Sequence, residues 1–193
     1  MASILKVAKL DPQSGTALEI GTSGDTITVP SGATFNVAGT LQEGGSALVT
    51  GKIGQVIYAS FDTDTDFATG SFTDITGGGN TLEAVITPSA SDSKVYIQYT
   101  IEATHANNRG YKTQIERAIS GGATTNIFTI PNQKDTYGDG DTNASRSSVQ
   151  YLDSPSTTSA TTYTIMIATD GAAAVTISES GSQCMITLME VLA

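Results

Sequence analysis

Residues 94 to 103 read KVYIQYTIEA, and their order sets the architecture. Val95, Ile97, Tyr99 and Ile101 fall on one side of an extended chain and Tyr96, Gln98, Thr100 and Glu102 on the other. That period of two is what a strand with one buried face requires. The same alternation appears towards the C-terminus. YTIMIA, residues 163–168, gathers Tyr163, Ile165 and Ile167, while MITLMEV, residues 185–191, sets Met185, Thr187, Met189 and Val191 against Ile186, Leu188 and Glu190. Both faces of these two segments are apolar, so they are expected to be central strands or interface strands. Ile165, Ile167 and Leu188 are accordingly expected at contacts between subunits.

Further strands are expected over 56–61, 71–75, 82–87, 111–119, 125–130, 149–152 and 174–178, separated by turn clusters such as TGGGN at 76–80, PSASDS at 88–93 and SGGATT at 120–125. Gly supplies positive φ in such turns and Pro presets φ. Short strands and no helix over 54–193 predict an antiparallel β-sandwich of jelly-roll type.

Residues 1–53 read differently. Of the twelve Phe and Tyr residues only Phe35 lies here. Leu18 with Ile20, Ile27 with Val29, and Phe35 with Val37 form alternating pairs roughly every eight or nine residues, with turn clusters GTSGD, PSG and AGT between them. Six medium-sized apolar side chains cannot offset the entropy of ordering so long a segment. The expectation is an attachment or trimerising stalk of short strands, with Leu18, Ile20, Ile27, Val29, Phe35 and Val37 buried where three chains wind together. A flexible Gly/Thr linker is the alternative.

Composition removes several classes. Nineteen acidic against nine basic residues give a net charge of -10, the opposite of a phosphate-binding surface, so no nucleic-acid partner is expected. One cysteine, Cys184, excludes an intrachain disulfide framework. The opening MASILKVAKLDP lacks the apolar run of a signal peptide, and no stretch approaches the roughly 20 apolar residues of a membrane span, so neither export nor membrane insertion is expected.

Catalytic patterns are sparse. His105 is the single histidine and stands at a strand end with no evident orienting partner; it reads as a loop or interface residue rather than a general base. Cys184 alternates with Ile186 and Leu188 and reads as a small buried thiol. SALVTGKI at 46–53 lacks the first Gly and the final Ser or Thr of a phosphate loop. No enzyme activity and no cofactor are expected. Asp139, Asp141 and Asn143 have the spacing that opens a calcium loop, as do Asp62, Asp64 and Asp66, but the sixth and twelfth positions are Ala144 and Gln150, or Phe67 and Thr73, in place of Gly and Glu. Calcium at Asp139, Asp141 and Asn143 thus stands against an ordinary solvated loop. Arg109, Lys112 and Arg117 are the one basic concentration, suited to pairing with acids across a subunit boundary or to an anionic host glycan. Residues 132–148 and 62–70 are expected to be display loops, and Asp135, Tyr137 and Asp139 supply the aromatic and polar groups of a surface-recognition site.

A resemblance extends this reading. The succession ITPSASDSKVYIQYTIEA, YKTQIERAI, VQYLDSPSTTSATTYTIMIA, AVTISE and ITLMEV resembles the C-terminal domain of tailed-phage virion proteins, notably fibre and appendage proteins of marine and cyanobacterial phages. SGTALEIGTSGDTITVPSGATFNVAGTL, residues 14–41, resembles the attachment or shaft segments that precede such domains. The resemblance implies a homotrimeric virion protein, on head or tail, with a jelly-roll head of the complement/tumour-necrosis-factor-like type. Its partners would be its own copies and other virion proteins, capsid or tail, and it would act in attachment to the particle, in capsid decoration or in adhesion to a host-surface glycan.

Overall fold

The computed structural model describes residues 20, 23–39, 42–43, 46–47, 52–105, 110–134, 143–170 and 174–192. The chain divides into two units, Met1–Leu48 and Val49–Ala193. In the first, strands β1 (Gln42–Glu43) and β2 (Ser46–Ala47) pair antiparallel, and tight turns occur at 23–24 and 31–32. Residue 20 and residues 23–39 are all exposed within the single chain.

The second unit is an antiparallel sandwich. Its strands are β3 (Ile53–Phe61), β4 (Thr65–Phe67), β5 (Thr73–Asp74), β6 (Thr76–Gly77), β7 (Asn80–Thr81), β8 (Glu83–Ile86) and β9 (Lys94–His105). They continue as β10 (Gly110–Ile119), β11 (Thr124–Lys134), β12 (Asn143–Asp153), β13 (Thr161–Thr169), β14 (Val175–Ile177) and β15 (Cys184–Val191). One sheet has six strands. β12 runs along one side of β9, β14 and β15 lie end to end along the other, and β3 and β4 pair with β15 and β14 in turn. The second sheet has five, with β11, β10 and β13 side by side and β5 and β8 sharing the far edge of β13. The chain therefore passes repeatedly from one sheet to the other, in the connectivity of a jelly roll.

The alternation in the sequence maps onto this directly. Val95, Ile97, Tyr99, Ile101, Ala103 and His105 of β9 point between the sheets and are buried. Opposite them stand Tyr111 and Ile115 of β10 and Tyr163, Ile165 and Ile167 of β13. Ile165, Ile167 and Leu188 are 0 % exposed within one chain. The sequence expectation that they lie between subunits is therefore corrected: they are the core of the sandwich itself. β13 and β15 each pair on both sides as central strands, while the second face of β15, with Met185, Thr187, Met189 and Val191, looks out of the sandwich.

Polar bonds tie the sheets together where large rings fill the gap. The hydroxyls of Tyr99 and Thr113 lie 2.7 Å apart, those of Tyr111 and Ser147 2.9 Å, and the Tyr163 hydroxyl donates to Asp153 Oδ2 at 2.7 Å. Each bond crosses from one sheet to the other, which is how buried phenols are ordinarily satisfied. Burial and the bond to Asp153 push the Tyr163 hydroxyl upward in pKa, and burial pushes Tyr99 up to about 12.

Both expected display loops are corrected in part. Thr65–Phe67 is a strand paired with β14, and Phe67 is buried, so 62–70 is pinned at its middle. β11 extends to Lys134 and β12 begins at Asn143, so both flanks of 132–148 are ladder; 135–142 lies outside the described residues. A further hairpin, β6 and β7, turns through Gly78 (φ 59°) and Gly79 (φ 86°), the two positive φ values that a two-residue type I′ loop demands.

Candidate functional site

Several residues singled out in the sequence end in structural roles. Arg117 shares its strand face with Thr113 and Ile115, which carries it into the sandwich, where its Nη1 donates to both Asp153 oxygens at 2.9 Å. The expectation that it pairs across a subunit boundary is corrected: its partner is on the facing sheet of the same chain. Lys112 takes the outward face of β10, and Arg109 lies outside the described residues. His105 is 2 % exposed and meets Tyr111 edge-on, with ring centroids 6.4 Å apart, so it is a buried strand residue and not a loop residue. Cys184 is buried; its Sγ accepts from Glu102 N at 3.2 Å, and burial raises its thiol above the ordinary range.

The acidic candidates separate in the same way. Asp66 accepts a 2.6 Å bond from the Thr176 hydroxyl. Asp135, Tyr137, Asp139 and Asp141 lie outside the described residues, and Asn143 opens β12 opposite His105. Among the described residues no three His, Cys, Asp or Glu side chains converge as a metal site would require. Of the expected stalk contacts, Leu18 lies outside the described residues, while Ile20, Ile27, Val29, Phe35 and Val37 are 61, 64, 44, 69 and 39 % exposed.

A buried acid that pattern reading passed over is Glu190. It faces inward from β15, 1 % exposed, and accepts from Ser89 N at 2.6 Å, Ser89 Oγ at 2.7 Å and Gln55 Nε2 at 2.8 Å. Burial alone would raise its pKa, but these donors reverse that and hold it at about 2. Gln55 Nε2 also donates to Thr87 O, so β3, β15 and the segment after β8 are fastened at one point.

The outward face of the six-stranded sheet presents its side chains in rows that follow from the register. Val56, Met189, Tyr96 and Leu152 lie side by side across four strands. The next row is Tyr58, Thr187, Gln98 and Gln150, and beyond it come Ser60, Met185, Thr100 and Ser148. On the other side of the apolar row stand Ile53, Val191 and Lys94. Ile53, Val56, Tyr58 and Leu152 are each about half exposed. An open groove of about 310 Å³ borders this end, lined by Lys52, Asp92, Lys94, Leu152, Val191 and Leu192. The outward face of the other sheet differs in charge: Glu83 and Glu116 flank Thr164, and Asp74 lies beside Met166.

No family model and no curated protein matches the chain. Solved structures with a similar course include the Eiger tumour necrosis factor of S. frugiperda, at 8 % identity and a TM-score of 0.41, over 72 % of this chain and 92 % of that one. The structure of infectious bursal disease virus Gx strain is similar at 12 % identity and a TM-score of 0.38, and the VP2 subviral particle of infectious bursal disease virus at 13 % and 0.38. Each of these two matches covers 81 % of this chain, but only 43 and 42 % of the viral chain.

Proposed function

We propose that this protein is a structural, non-enzymatic component of a tailed-phage virion, a homotrimeric fibre or appendage whose N-terminal unit joins three chains and whose jelly-roll unit forms a head. The observation that carries this reading is the exposure of Ile20, Ile27, Val29, Phe35 and Val37 in the single chain. A segment that spaces apolar side chains at strand period and buries none of them against itself needs an external surface, and identical chains supply one without any further component. The mechanical reading is supported by the burial of His105 and Cys184, the residues most apt for nucleophilic chemistry, in the sandwich core.

The purified chain is expected to sediment and scatter light as a species of three times 19.8 kDa at micromolar concentration. A monodisperse monomer there defeats the assembly reading. Electron microscopy of particles labelled at the C-terminus of this protein tests the virion role, with label at head vertices or on the tail expected and unlabelled particles refuting it.

A further inference from the structure

We infer that the outward face of the six-stranded sheet is where the head units of this protein meet one another, so that a second copy of the chain covers the row Val56, Met189, Tyr96 and Leu152. This deepens the assembly reading above and rests on it. The face is distinguished first by apolarity. Ile53, Val56, Tyr58 and Leu152 together expose on the order of 400 Å², the size of the largest apolar patch on an ordinary monomer. The rows on either side add Met185, Thr187 and Val191, and four rows across four strands span on the order of 500 Å² in projection. As accessible surface that approaches the ~800 Å² that each side of a specific contact buries.

Charge identifies the occupant. The chain carries 19 acidic residues against 9 basic, so copies repel wherever acids face acids. Across the four rows from Ser60 to Ile53 the outward positions hold no Asp or Glu, and the one charge is Lys94, with Lys52 and Asp92 beside it in the bordering groove. The opposite sheet directs Glu83, Glu116 and Asp74 outward against the cation Lys112, a net negative face that would oppose the approach of another copy. An apolar face whose rows carry no acid, on a chain of net charge -10, is therefore the part of the surface that a second copy approaches with least repulsion, and Lys52, Lys94 and Asp92 share the groove at its edge. The neighbouring Arg146 and Glu102, paired with each other, bound the face at its far end.

The test uses the full chain in two variants that introduce negative charge. Tyr58→Glu with Thr187→Glu places acids in the face; Thr129→Glu with Thr162→Glu places the same number on the opposite sheet. The face variant is expected to raise the concentration of half-dissociation at least tenfold by analytical ultracentrifugation, and the control variant less than twofold. A second readout needs no variant: in the assembled wild-type chain, peroxide should oxidise Met185 and Met189 several-fold more slowly than in the chain diluted below half-dissociation. Equal oxidation rates, or face and control variants that assemble alike, overturn the contact while leaving assembly through the N-terminal unit standing. A wild-type chain that is monomeric throughout overturns both.

Discussion

The carboxylate of Glu190 sits among donors rather than water, and that arrangement sets a pH dependence. Its pKa is about 2 in the folded chain against 4.5 in a free side chain, so its stabilisation is complete above pH 4.5 and disappears as pH falls through about 2. Glu190→Gln is expected to lower stability by ~2 kcal/mol at pH 7 through the loss of charge-assisted bonds, with the gap to wild type closing towards pH 2 in urea titrations. A gap that stays constant with pH would show that shape, not charge, matters at this position. Gly54 is part of the same fastening. A Cβ there would lie 2.9 Å from Glu190 Oε2 and 2.9 Å from Leu192 Cδ2, so any larger residue would have to push the Glu190 carboxylate and the end of Leu192 aside. The second buried acid, Asp153, has two partners of unequal weight. Arg117→Met should cost ~3 kcal/mol or more by leaving a buried carboxylate without its cation, whereas Tyr163→Phe should cost ~1 kcal/mol, a ranking that thermal or chemical unfolding reads directly.

At the level of strands, β9 holds the six-stranded sheet together, because it pairs along nearly all its length with β12 on one side and with β15 and β14 on the other. Ile97→Ala removes a fully buried side chain from its middle and is expected to cost ~3 kcal/mol by urea unfolding. Strands of this kind were legible from sequence, since alternation over six or more residues registers as a period and the observed ends differ by only a few positions. What escaped was short or polar. Thr65–Phe67 and the hairpin at 76–81 are too brief to show a period. The first half of β12, NASRSS, turns Ser145 and Ser147 inward, where the latter meets the Tyr111 hydroxyl, so its buried face carries no apolar signal. The outer contact face was illegible for another reason: Val56, Tyr96, Leu152 and Met189 come from four separate strands and become neighbours only once the register is known. Glu190 was sorted correctly to one side of its strand, yet nothing local announces the Ser89 and Gln55 donors, which lie about a hundred residues or more away in sequence.

The whole molecule is an acidic body, and its association should respond to salt. Screening shortens the reach of surface charge to ~8 Å at physiological ionic strength, so the self-repulsion of a chain of net charge -10 falls as salt rises. The half-dissociation concentration of the assembled chain is expected to fall between 20 mM and 300 mM NaCl; a rise would mean that ion pairs dominate the contact. The same body has a mechanical grain. Leu192 N donates to Lys52 O at 2.7 Å, beside the strands β3 and β15 that run antiparallel from that point. The polypeptide thus enters and leaves the sandwich at one corner, on adjacent strands. Tension applied between those two points peels one ladder rung at a time, whereas tension from the entry corner to the far end, where His105 pairs with Asn143, loads many rungs at once in shear. A cargo fused after Leu192 would hang at the yielding corner, and an object gripped at the opposite pole would be held by the stiff direction of the fold.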